Sequence, residues 1–260
     1  MKKTICVILT LILAALAAFA GYQIYREYLA RQESADSYTD LEKFVEIPEF
    51  RRDEEPDDTT SSESGETQAP TNDPTIDFDA LLAINPDCVG WIYIPETLIN
   101  YPVVQGSDNS YYLKHLFNGK WNSSGCIFLD TRVSIDMSDR HSIIYGHHMK
   151  DGTMFSGLTK YKKQEYFESH STGLYITPQA TYRIDFFAGY VAGVDEAAWK
   201  VEFQSDEEFE AWINEIKEKS WIENPLSPAV TDIVLTLSTC SYEFENARFV
   251  LHGVLTEIDQ

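Results

Sequence analysis

A chain of 260 residues, 43% of them hydrophobic, has room for one large domain or two small ones with a genuine core. Its formal net charge of −22 argues against nucleic acid as a partner, because the phosphates would repel it, and says little about fold.

Residues 1–25 read as a membrane anchor. After Lys2 and Lys3 the run from Thr4 to Tyr22 carries no charge, close to the roughly 20 residues that cross a bilayer as a helix. Ala17, Ala18 and Ala20 offer the small residues of a cleavage site, but a cleavable leader has a shorter apolar region, about 7–15 residues. The reading is therefore an uncleaved signal anchor, single-pass, with the N-terminus cytoplasmic and the rest of the chain outside the cell. Arg26 and Arg31, just past the far end, weaken the positive-inside signal.

Residues 26–75 carry fifteen acidic against five basic side chains, and their later part is Pro, Ser, Thr and Gly among acids. With little to bury, this composition predicts an extracellular tether. Tyr25, Tyr28 and Leu29 recur at helical spacing and extend a helix from Tyr22 toward Lys43. As flexible coil the whole segment would hold the following domain on the order of 40 Å from the membrane.

The folded domain is expected over residues 76–260. A short helix at 79–84 precedes eight short strands, at 89–94, 101–104, 125–129, 142–145, 173–177, 182–191, 232–238 and 248–256. Strands of this number and length, with turn residues between them, predict a mainly β fold, and a closed barrel best hides the strand edges. One helix interrupts them. Ser205 with Glu208 forms a capping box, Phe209, Trp212, Ile213 and Ile216 share one face, and Lys217 and Lys219 fall in the last turn.

Cysteine usage narrows the chemistry. With Cys6 in the anchor, Cys88, Cys126 and Cys240 form an odd set in a domain placed outside the cell, which speaks against a disulfide framework. Cys88 and Cys126 adjoin apolar strand residues and read as small core side chains; nothing in their spacing supports a bridge between them. Cys240 alone is followed by a polar loop. Arg248 opens the next strand, so the two would sit at facing strand ends, where a cation favours the reactive thiolate. The plainer alternative is a small buried hydrophobe beside a surface charge.

A base stands at the end of another strand. The run 142–145 is broken by Gly146, and His147 and His148 follow at once; histidine exchanges protons near neutrality. No third ligand lies at useful spacing from this pair, so a metal site is not expected.

Taken together, YGHHM at 145–149, TLSTC at 236–240 and ARF at 247–249 closely resemble the sortases, cysteine transpeptidases of Gram-positive surfaces, and specifically class B. NPDCVGWIYIPETLINYPVVQGSDNSYYL, SGCIFLDTR, HHMKDGTMF and the helix at 205–221 carry the likeness from about residue 85 to 255. The resemblance implies an eight-stranded sortase-type β-barrel with N-terminal helices and a helix before the penultimate strand. It implies Cys240 as nucleophile, His147 as general acid/base and Arg248 as the cation beside the scissile carbonyl, with His148 only a neighbour. Asn109, Leu113, Arg132, Tyr145 and Ser238 are implied as walls of the substrate groove. The implied reaction cleaves a C-terminal sorting motif of surface proteins, of the NPxTN type, after threonine. Arg248 and a backbone N–H near Ser241 would hold the oxyanion, and a peptidoglycan-precursor (lipid II-type) amine would resolve the thioester, with no cofactor or metal. A pilin-polymerising relative using a lysine amine, a thiol hydrolase and a catalytically inactive peptide-binding module are the alternatives.

Overall fold

The uncharged run after Lys3 propagates as a single helix, α1 (Lys2–Glu42). The computed structural model describes residues 2–46 and 75–258. Along the first half of α1 the side chains of Leu9, Leu16 and Phe19 are exposed, and the helix is long and apolar enough to cross a membrane by length and composition.

The second half of α1 departs from the tether reading. Ser34, Tyr38 and Leu41, at i, i+4 and i+7, form a buried stripe against the barrel. The Tyr38 hydroxyl donates to the Gly125 carbonyl at 2.7 Å, and the Asn122 amide donates to the Ala30 carbonyl at 2.8 Å. Tyr25, Tyr28 and Leu29, whose spacing suggested the helix, lie on its exposed side. Folded structure thus begins well before residue 76.

After α1, β1 (Val45–Glu46) pairs antiparallel with β2 (Thr75–Ile76), Glu46 opposite Thr75. The acidic Pro/Ser/Thr stretch expected to act as spacer falls at residues 47–74, outside the described residues. The residues on either side of it, Glu46 and Thr75, are register partners.

Helix α2 (Phe78–Ile84) is capped by Asp77, whose side chain accepts the Ala80 N–H at 2.9 Å. The strands then follow as β3 (Cys88–Tyr93), β4 (Asn100–Val104), β5 (Ile127–Leu129), β6 (His141–Tyr145), β7 (Thr172–Ile176), β8 (Thr181–Ala192), β9 (Ile233–Cys240) and β10 (Arg248–Ile258). They close in the order β10-β8-β7-β3-β4-β5-β6-β9, so the eight-stranded barrel predicted from the sequence is the barrel observed. The pairs β4/β5 and β6/β9 are parallel and the rest antiparallel. Short helix α3 (Gln164–Ser169), which carries no strong sequence signal, lies between β6 and β7.

Helix α4 (Asp206–Lys219) precedes the penultimate strand as expected, with Phe209, Trp212, Ile213 and Ile216 buried. Ser205 caps it by accepting the Glu208 N–H at 3.3 Å, but the Glu208 carboxylate reaches the Gln204 N–H and Lys200 in place of the cap's own N–H. With α4 on its outer face, β9 is buried on both sides. One apolar cluster fills the barrel around Trp91, Ile127, Leu237 and Phe249; a second joins α4 to Tyr190, Val234 and Val250. This two-sided burial is why IVLTLSTC reads as a continuous apolar run and not as an alternating one.

Candidate active site

Strand pairing puts the first two groups together. Cys240 ends β9, Arg248 begins β10, and the two are register partners. The loop between them is anchored: Lys162 donates to the Ser241 hydroxyl at 3.0 Å and pairs with Glu243, which also accepts from Ser241. Burial works against the Glu243 carboxylate, yet the Lys162 and Ser241 contacts prevail and hold it at about 2.

The third group arrives on the parallel neighbour of β9. Tyr145, the last residue of β6, pairs with Ser238, and the Gly146 N–H donates to the Ser238 carbonyl at 3.0 Å. The chain then turns His147 toward Cys240. Glycine is required at 146 for space: a Cβ there would lie 2.5 Å from Ile127 Cδ1 and 2.6 Å from Phe155 Cγ. His147 Nε2 lies 2.7 Å from the Leu113 carbonyl oxygen, so Nε2 carries the proton and Nδ1 is left to exchange one with the sulfur. His148 Nδ1 donates to the Cys240 carbonyl at 3.0 Å and so braces the strand end.

Cys240, His147 and Arg248 line one cleft of about 330 Å³ with Asn109, Leu113, Tyr145 and Ser238. Gly146, Phe128 and Thr239 complete the walls, the last two unanticipated from sequence. The hydroxyls of Ser238 and Thr239 are buried without a partner among the described residues.

Electrostatics single out one thiol. The hydrogen bond from His147 pulls the Cys240 pKa below its ordinary 9.0 against the cost of burial, and Arg248 adds to the pull. The same bond raises His147 above 6.5. Cys88 and Cys126 are free and buried in the core, where desolvation pushes each thiol up to about 12.

Two expectations change. Arg132 does not line the cleft: its Nε and Nη2 bind the Asp130 carboxylate at 2.9 and 2.7 Å, and its Nη1 donates to the Trp199 carbonyl at 3.2 Å. The Ser241 N–H is not free for an oxyanion, because it donates to the Ala247 carbonyl at 2.9 Å across the loop.

A closed barrel that gathers a depressed thiol, an imidazole and a guanidinium at one cleft has the equipment of a cysteine-dependent acyl-transfer enzyme. A family model described as a sortase domain matches residues 92–256. The chain is 32% identical over 249 residues, 95% of each sequence, to sortase B of Listeria monocytogenes. Among solved structures, a Bacillus anthracis protein similar to sortase B aligns with a TM-score of 0.70 at 33% identity, covering 89% of this chain and 98% of that one. A Staphylococcus aureus sortase B–substrate complex gives 0.67 at 32% identity, covering 70% and 85%, and a sortase B has also been solved complexed with triglycine. The chain belongs to the sortase family of cysteine transpeptidases, and within it to class B.

Proposed function

We propose that the chain is a membrane-anchored transpeptidase of a Gram-positive surface, one that cleaves a C-terminal sorting motif of secreted surface proteins after threonine and joins the product to a cell-wall precursor amine. The observation that carries this reading is the convergence of Cys240, Arg248 and His147 on one cleft from three strand ends.

In the first half-reaction the Cys240 thiolate attacks the carbonyl carbon after threonine. Arg248 donates one N–H to the Ala247 carbonyl at 3.0 Å and lines the cleft, so that one of its other donors stabilises the oxyanion. Such a contact is typically worth about 3–4 kcal/mol. As the tetrahedral species collapses, the C–N bond breaks, His147 delivers a proton to the departing amine, and a thioester remains on Cys240. In the second half-reaction the incoming amine gives a proton to His147, its nitrogen forms the new amide, and the thiolate leaves. The substrate and triglycine complexes of related sortase B structures support a peptide donor and an amine acceptor.

The anchor supports the location. From Tyr25, the last residue before Arg26, to Ser34, the first buried position among the described residues, α1 is unbroken. These nine residues rise roughly 14 Å, so the barrel stands close to the bilayer on its outer side and within reach of a lipid-linked amine.

The test is mass spectrometry of the protein incubated with a panel of NPxTN-type pentapeptides, with and without a glycyl amine. An acyl group on Cys240 and an amide-joined product are expected. Acylation at Cys88 or Cys126, or release of free carboxylate alone in excess amine, would overturn the proposal.

A further inference from the structure

Asp130 follows β5 in the stretch FLDTR and is fully buried, although it is not among the residues lining the cleft. An ionised carboxylate in such a place is costly unless every lone pair is used. Here each oxygen is. Oδ1 accepts the Arg132 N–H and the Arg132 Nε–H, both at 2.9 Å, and Oδ2 accepts from Arg132 Nη2 at 2.7 Å and from the Tyr145 hydroxyl at 2.7 Å. The backbone is fixed as well: the Asp130 N–H donates to the Ile143 carbonyl at 2.9 Å, and Gln105 Nε2 donates to the Asp130 carbonyl at 2.9 Å.

Two residues of the cleft and one neighbour of it hang on this carboxylate. Tyr145 has a single hydroxyl proton and spends it on Asp130, so toward the cleft its oxygen is an acceptor only. Asn109 is tied to the same turn, its Oδ1 accepting the Thr131 N–H at 2.9 Å. Through Arg132 Nη1 the carboxylate also holds the Trp199 carbonyl, and the Trp199 ring stacks near Tyr145 with centroids 6.2 Å apart. We infer that Asp130 is a positioning residue for the donor-peptide groove: by taking the Tyr145 proton it fixes the Tyr145 oxygen as an acceptor for an N–H of the bound peptide.

A purely structural role does not require the charge. A buried ion pair is weak evidence for stability, since a neutral residue of the same shape often serves the fold as well. What asparagine at 130 cannot do is force the direction of the hydroxyl, because its own NH₂ can donate to the tyrosine oxygen and reverse the bond. Arg132 and Tyr145 overcome the cost of burial and hold Asp130 at about 2, so the carboxylate is ionised throughout the working range of pH.

This inference rests on the cleft being a donor-peptide site, and the experiment separates the two. Steady-state transpeptidation by the full chain is measured for wild type, D130N, Y145F and the double variant, alongside the pH profile of Cys240 alkylation by iodoacetamide. For D130N the donor KM is expected to rise at least tenfold with kcat within about threefold, and the alkylation profile to stay that of the wild type. Y145F, which leaves the Asp130–Arg132 pair intact and so tests the idea even where D130N folds poorly, should raise KM similarly. In the double variant KM should match Y145F alone within twofold. An unchanged KM in D130N and Y145F, or full multiplication of their effects, overturns the role of Asp130 while the transpeptidase reading stands. A wild-type protein that acylates no peptide at Cys240 removes that reading and this inference with it.

Discussion

Arg248 stands directly opposite Cys240, the first residue of β10 facing the last residue of β9. Their proximity is therefore set by the barrel's hydrogen-bond ladder and not by a loop, which keeps the positive charge beside the thiol without an ordering cost at the moment of reaction. R248A should move the Cys240 pKa back up toward 9.0, since Arg248 is one of the influences lowering it, and should slow acylation by about 10²–10³-fold. R248K should fall between, keeping the charge but losing the planar fork. H147A should raise the thiol further than R248A, because the His147 hydrogen bond is the larger influence on the lowered side. The pH dependence of iodoacetamide alkylation measures all three; a profile unmoved by R248A contradicts the assignment.

Gly146 is the pivot that lets β6 end and His147 turn in. An added methyl would meet Ile127 and Phe155 at 2.5–2.6 Å, and both are fully buried. G146A is expected to cost about 1–3 kcal/mol of stability by overpacking and to lower kcat/KM at least 100-fold by displacing His147. Pairing it with F155L, which trims the phenyl ring, should recover part of both losses. Recovery of stability without any recovery of activity would show that His147 is not what the clash moves.

What the sequence disclosed follows from how each signal is encoded. The catalytic strand ends were legible because a two-sided apolar run broken at Cys240, and another broken at Gly146, are local patterns. Helix α4 was legible for the same reason, its cap and apolar stripe lying within 15 residues, Ser205 through Lys219. The packing of α1 was hidden by charge: Glu33, Asp36, Asp40 and Glu42 dominate the composition, while the buried stripe is only Ser34, Tyr38 and Leu41. The link from Asp130 to Tyr145 and that from the Leu113 carbonyl to His147 were hidden because each joins two different elements, which no local period records. The resemblance implies a backbone N–H near Ser241 for the oxyanion, and no local pattern discloses that the β9–β10 connection is held across its base by the Ser241–Ala247 bond.

Beneath α4 lies a second buried network that the proposed chemistry does not use. His141 Nδ1 donates to the Lys200 carbonyl at 2.6 Å, which leaves its Nε2 to accept from Thr236 Oγ1 at 2.6 Å; Thr236 in turn accepts from His252 Nδ1 at 2.7 Å. His141 must be neutral for its Nε2 to accept, and a charged His252 would bury an Nε2–H that has no partner among the described residues. Burial accordingly pushes His141 down to about 4 and His252 well below 6.5. The unfolded chain then binds protons near 6.5 that the folded chain refuses. The stabilisation is complete above pH 6.5 and is lost as the pH falls from there toward 4, at about 1.4 kcal/mol per pH unit for each histidine. H252F, which keeps a ring against Tyr190, should flatten the slope by about that amount. Urea unfolding at pH 7, 6, 5 and 4.5 tests this, and an identical slope in H252F would exclude His252 as a contributor.

The pairing of Glu46 with Thr75 makes a last prediction about the acidic segment. Two residues directly opposite each other in an antiparallel pair can be joined by a two-residue turn such as Asn-Gly. Replacing residues 47–74 with that turn should leave kcat and KM for a soluble sorting peptide within about twofold, because neither flank touches the cleft. It should also raise stability by up to about 2 kcal/mol, since closing a shorter loop costs less entropy. Thermal unfolding and peptide transpeptidation of the excised protein supply the comparison. A large loss of turnover with an unchanged melting temperature would mean that the acidic stretch contributes to the reaction itself. A fall in melting temperature would mean that it contributes to the fold, and the strand pair formed by Val45, Glu46, Thr75 and Ile76 would then be insufficient to close the chain on its own.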